Sequence, residues 1–168
     1  MKSVRDTDKI DASRLALSVG ATELLALSSD LIFKTCPDGT PYTVLKHPEN
    51  AFKIFGSNWD ATIGVTLDKL KGLAGKVGID IKKRVTTLYD GLDGINGFLA
   101  QSFNASYLTY STRPCDPTSV DALRKSTATL QAATGILIAI KMESSRINPD
   151  VNRLEDLQSQ LLKVVNPD

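Results

Sequence analysis

Between Ile81 and Leu99 the apolar residues Ile81, Val85, Leu88, Leu92, Ile95 and Leu99 recur at alternating steps of four and three. On a helix that spacing draws one apolar line, which must be buried against other helices. A strand would scatter the same residues over both of its faces. The segment is therefore expected to be a helix packed in a bundle, starting at Ile79 or Asp80 and extended by Phe98, Phe103 and Tyr107.

The same period recurs along the chain. Ile10, Leu17, Leu24 and Leu31 stand seven apart, with Leu27 and Ile32 widening the stripe, and predict an amphipathic helix ending before Pro37. His47-Pro48-Glu49-Asn50 opens a second helix, with Pro48 at the first helical position. Its face reads Phe52, Phe55, Trp59, Ile63, Leu67, Leu70, Ala74, Val77. Gly72, Gly75 and Gly78 each cost about 1 kcal/mol against Ala in a helix, so it should fray or break near Gly78.

Asp116-Pro117 supplies a cap and first turn for a fourth helix, with Val120, Leu123, Leu130, Leu137, Ile140 and Ile147 as its stripe. From Ala132 to Ile140 it is apolar on nearly all sides and is expected to be the most buried segment. Asn148-Pro149 ends or kinks it. A fifth helix carries Val151, Leu154, Leu157, Leu161 and Val165 on one face, and Asn152 and Glu155 have capping-box spacing. Within the Pro-rich loop from Cys36 to Lys46, only Tyr42-Thr43-Val44-Leu45 reads as extended. The expected fold class is all-α: an antiparallel four-helix bundle with an additional C-terminal helix. The 168 residues are expected to form one domain over 1–168, with 1–9 disordered or frayed.

Composition narrows the function classes. Twenty Lys and Arg balance nineteen Asp and Glu, which is not the basic excess of a nucleic-acid binder. No apolar run reaches the roughly 18–20 residues that a spanning helix needs. The opening MKSVRDTDKIDASR lacks the apolar centre of a secretory signal, so either the protein is cytoplasmic or a signal has been removed. Cys36 and Cys115 both lie in Pro-rich loops, where one bridge between them is expected. That bridge favours a periplasmic or secreted setting, with a cytoplasmic one as the alternative. Asn104-Ala105-Ser106 is a glycosylation sequon falling late in a helix.

Catalytic and metal chemistry is thin. His47 is the only histidine, beside Pro48 at a helix start, where a capping or loop role is expected. One His and two distant Cys make no zinc site, and no Glu-x-x-His motif is present for a di-iron bundle. Gly75-Lys76 fails the phosphate-loop pattern, because Leu70 stands at the first glycine position and Val77 follows the lysine. Asp90-Gly91-Leu92-Asp93 places Leu92 where a calcium loop needs an oxygen ligand. No catalytic residue, metal or cofactor is assigned, and the chain is read as a non-enzyme.

Two functional readings remain. In the first, a non-catalytic extracytoplasmic bundle of inhibitor, immunity or adaptor type binds another protein. Its candidate contact residues are the basic cluster Lys69, Lys71, Lys76, Lys82, Lys83 and Arg84 and the glycines Gly91, Gly94 and Gly97. The same basic, amphipathic stretch also suits contact with an anionic membrane surface. In the second, a carrier or sensor holds a small apolar ligand or lipid between its helices, lined by Phe52, Phe55, Trp59, Tyr89, Phe98, Leu130 and Leu137.

Overall fold

The computed structural model describes residues 31–167. The expected first helix, from Ile10, lies outside the described residues except for its last positions, as does the expected frayed segment 1–9. The described chain is mostly helical. It comprises β1 (Leu31–Thr35), β2 (Pro41–Leu45), a 3-10 turn (Pro48–Asn50), α1 (Ala51–Phe55), α2 (Ser57–Ala74), α3 (Ile79–Thr112), α4 (Pro117–Ser144) and α5 (Val151–Val165). It divides into two compact units. Of the described residues, unit 1 holds 31–57 and 101–128, and unit 2 holds 58–100 and 129–167. α3 and α4 each supply residues to both units.

Unit 1 contains a correction to the helical expectation. Leu31 and Ile32, the end of the seven-residue stripe, lie in a strand that pairs antiparallel with β2, from Leu31 opposite Leu45 to Thr35 opposite Pro41. The Leu-Ile-Phe-Lys-Thr run has β-branched and aromatic residues suited to a pleated surface, and it has a partner within reach. The turn between the strands is held by Cys36 N–H to the Thr40 carbonyl at 2.7 Å and Gly39 N–H to the Cys36 carbonyl at 2.9 Å. Gly39 takes φ +92°, a conformation that side chains other than glycine rarely tolerate. The extended reading of Tyr42–Leu45 agrees with β2.

The expected second helix is interrupted. Pro48 opens a 3-10 turn, α1 closes at Gly56, and a separate helix follows from Ser57. α2 stops at Ala74, before Gly78, and α3 begins at Ile79 as expected. The glycine-rich stretch is where the helical cost accumulates.

In unit 2, α3 buries Val85, Leu88, Leu92, Ile95 and Leu99, the seam anticipated from its spacing. α5 buries Leu154, Leu157, Leu161 and Val165. Its N-cap is Asp150, whose side chain accepts the Arg153 N–H at 3.3 Å, so the expected Asn152–Glu155 capping box does not form. α4 buries Leu130, Ala133, Leu137 and Ile140 but ends at Ser144. Ile147, expected on its stripe, stands beyond the helix and is 98% exposed. The stretch from Ala132 to Ile140 is not buried all round: Ala132 and Gly135 face solvent and Ile138 is 43% exposed.

Candidate interaction surfaces

In unit 1 the aromatic residues pack on one another. Phe52 and Phe55 meet Phe103 at ring-centroid distances of 6.3 and 6.0 Å, and Tyr107 lies 5.7 Å from Phe55 and 5.6 Å from Tyr110. The two tyrosines also bond the hairpin. Leu45 N–H donates to the Tyr107 hydroxyl at 2.8 Å, and the Tyr110 hydroxyl donates to the Thr43 carbonyl at 2.7 Å. Burial, opposed by the Leu45 N–H, pushes the Tyr107 phenol up to about 12. Spacing alone marks Tyr107 and Tyr110 as core rings. Their three-residue separation on α3 was the available sign that both hydroxyls point the same way.

Cys36 and Cys115 are disulfide-bonded, with Cα atoms 5.8 Å apart, linking the hairpin turn to the α3–α4 connection. That connection is capped as expected, with Thr118 N–H donating to Asp116 Oδ1 at 2.9 Å. The sequon residue Asn104 is half-buried on α3, and its Oδ1 accepts the Phe52 N–H at the start of α1, at 3.0 Å.

The seven expected ligand-lining residues are divided between the two units. Phe52 and Phe55 belong to the unit 1 cluster, whereas Trp59, Tyr89, Phe98 and Leu137 belong to unit 2. Trp59 is fully buried and its indole N–H donates to Asn96 Oδ1 at 2.8 Å. Leu130 and Leu137 are buried on α4, Tyr89 is half-buried, and Phe98 is 47% exposed. Leu70, Leu88, Leu92, Ile140, Leu154 and Gln158 surround a packing gap too small to hold a water molecule.

Hydrogen bonds across α3 and α5 orient one end of unit 2. Arg84 donates to Asn152 Oδ1 at 2.7 Å and to both carboxylate oxygens of Glu155. Further along both helices, Gln158 Nε2 donates to the Leu88 carbonyl at 2.8 Å. α3 and α5 therefore run in the same direction. The connections that precede them, 75–78 and 145–150, leave the unit at the same end. The Arg84 bond holds the Glu155 carboxyl below its ordinary range, and Glu155 in turn raises the Arg84 guanidinium.

The remaining basic residues and the glycines differ in setting. Lys69 is half-buried, while Lys71, Lys76, Lys82 and Lys83 are exposed. Gly91 lies against the Gln158 amide, whereas Gly94 and Gly97 face open space. Gly91 is thus the one position of that triplet where an added side-chain carbon would oblige the Gln158 amide to shift.

α4 turns an uncharged face outward. No charged residue occurs between Lys125 and Lys141. Along that stretch Ala128, Ala132, Gly135 and Ile138 are exposed, and Met142 one turn later is 67% exposed.

Among the described residues no helix is long and apolar enough to cross a membrane, and no group of three His, Cys, Asp or Glu side chains is placed to hold a metal ion. Comparison with protein-family models, curated proteins and solved structures finds no match to this chain.

Proposed function

We propose that the chain is a non-catalytic, extracytoplasmic binding protein that docks a helix of another protein on the outer face of α4. The observation that carries this reading is the pairing of Ile138 and Met142 in solvent on a helix face without charge from Ser126 to Ile140. An ordinary solvated helix face carries charged residues opposite its buried stripe. Here the small residues Ala132 and Gly135 would let a partner helix approach closely, and Ile138 and Met142 would supply the apolar area. The disulfide fits an oxidising compartment, periplasmic or secreted.

The finer architecture belongs to the same reading. The segments of α2, α3, α4 and α5 in unit 2 are taken as an antiparallel four-helix bundle, supported by the meeting of Leu70, Leu88, Leu92, Ile140 and Leu154 from all four around one packing gap. The carrier alternative has less support, because the candidate lining residues Phe52, Phe55 and Trp59 are already packed among protein atoms.

The test is a benzoylphenylalanine photo-crosslinker placed at position 138 and irradiated in the native host. A single discrete protein adduct that disappears with Gly135→Arg is expected. No adduct, an adduct to the protein's own chain, or one that survives Gly135→Arg would overturn the reading.

A further inference from the structure

The end of unit 2 from which the two connections emerge combines exposed aliphatic side chains with unpaired positive charge. Ile79, the first residue of α3, is 73% exposed, and Ile147, between α4 and α5, is 98% exposed. Both belong to the end that the Arg84–Asn152 and Arg84–Glu155 bonds define. Branched aliphatic groups held in water at one end of the unit gain nothing from the fold itself.

The charge around them is uneven. Between Asp68 and Arg84 there are six cationic side chains and two carboxylates, a net +4. Lys71, Lys76, Lys82 and Lys83 are exposed, and none forms an ion pair with a described residue. Several carboxylates near this end are instead engaged within the unit. Glu155 holds Arg84. Glu143 accepts from Arg146 at 3.3 Å and from the Asp150 N–H at 2.8 Å, and Asp150 caps α5. Asp80 stands among the lysines and offsets one of them.

We infer that this end of unit 2 is a docking surface for an anionic lipid bilayer. Ile79 and Ile147 enter the interface, and Lys71, Lys76, Lys82 and Lys83 lie against the headgroups. A bilayer accepts isolated apolar side chains at any spacing, whereas a protein partner would need a matched pocket for each. Lysine stems bury along the apolar boundary while their ammonium groups stay with the phosphates. Each such lysine near an anionic surface contributes roughly a fivefold gain in partition. This inference rests on Ile79, Ile147 and the four lysines, and not on what docks on α4.

The test is sedimentation of the full-length oxidised protein with vesicles. One set is phosphatidylglycerol and phosphatidylcholine in equal parts, the other phosphatidylcholine alone. Binding to the anionic vesicles, weakened by high salt, is expected. The Ile79→Ser, Ile147→Ser double variant should lose about tenfold or more in partition, from the loss of two apolar anchors. Lys82→Glu with Lys83→Glu should lose about twentyfold or more. Circular dichroism and thermal midpoint of the isoleucine variant should match the parent, because both side chains already stand in water. Three results would overturn the proposal: no binding to anionic vesicles, equal binding to phosphatidylcholine alone, or undiminished binding by the isoleucine variant. The last would mark a charge-only contact, such as an acidic protein.

Discussion

Tyr107 accepts the Leu45 N–H at 2.8 Å across 62 residues of sequence, joining the C-terminal part of α3 to the last residue of the hairpin. Tyr107→Phe keeps the ring but leaves a buried N–H without an acceptor, at a cost of about 1–3 kcal/mol. Denaturant titration of the variant checks this. The phenol, raised to about 12 by burial, also makes the fold sensitive to alkali. Its contribution is complete below its ordinary value of 10 and is lost as the pH rises towards 12. Far-UV circular dichroism across that range should show an alkaline loss of structure that is smaller in Tyr107→Phe.

Thr43 offers the opposite case on the same strand. It is fully buried and its Oγ1 has no hydrogen-bond partner among the described residues. Thr43→Val removes an unsatisfied hydroxyl at nearly constant shape, so stability should rise by about 1 kcal/mol. An unchanged or lower unfolding midpoint would contradict this.

The Arg84–Glu155 pair should make unit 2 sensitive to acid. Because the Glu155 carboxyl lies below its ordinary 4.5 in the folded state, its contribution is present above that pH. It is lost as the pH falls through the lowered value. The parent's stability advantage over Arg84→Met should be full at neutral pH and shrink in urea titrations performed progressively below pH 4.5.

The Cys36–Cys115 bridge spans 79 residues. Closing a loop of that size restricts the unfolded chain by about 4–5 kcal/mol in the chain-entropy treatment. Reduction should lower the denaturation midpoint accordingly. The Tyr107 and Tyr110 hydrogen bonds remain, so helical circular dichroism should persist in the reduced protein without denaturant.

The glycines of α3 should separate on substitution. Added methyl groups at Gly94 and Gly97 meet nothing within 4 Å, so each change to Ala should stabilise by about 0.5–1 kcal/mol. At Gly91 the new atom would sit 2.9 Å from Gln158 Nε2, the donor to Leu88. Gly91→Ala should forfeit that gain, and a Gln158→Ala background should restore it. A double-mutant cycle of thermal midpoints measures the coupling.

Elements whose evidence is local were legible in the sequence. The start of α3 at Ile79, its buried seam, the Asp116 cap and the apolar stripe of α5 follow from spacing and capping chemistry. What escaped depends on distant partners. Asn152 and Glu155 have the spacing of a cap, but a guanidinium 68 and 71 residues earlier takes both. Leu31 and Ile32 continue a helical period, and only pairing with Val44 and Leu45 makes them strand. Ile147 fits the stripe of α4 by number, yet that helix ends three residues earlier. On α4 the alternation of apolar residues conceals which side faces inward, so the exposure of Ile138 could not be read from composition.

The five positions that α3 buries in unit 2 carry a consequence for its path. Val85, Leu92 and Leu99 are spaced by seven, as are Leu88 and Ile95. Seven residues fall about 20° short of two full turns of a straight α-helix, so this line drifts by about 40° from Val85 to Leu99. A helix that keeps all five covered along one straight neighbour must wind gently leftward about it, so the spacing itself predicts a curved rod.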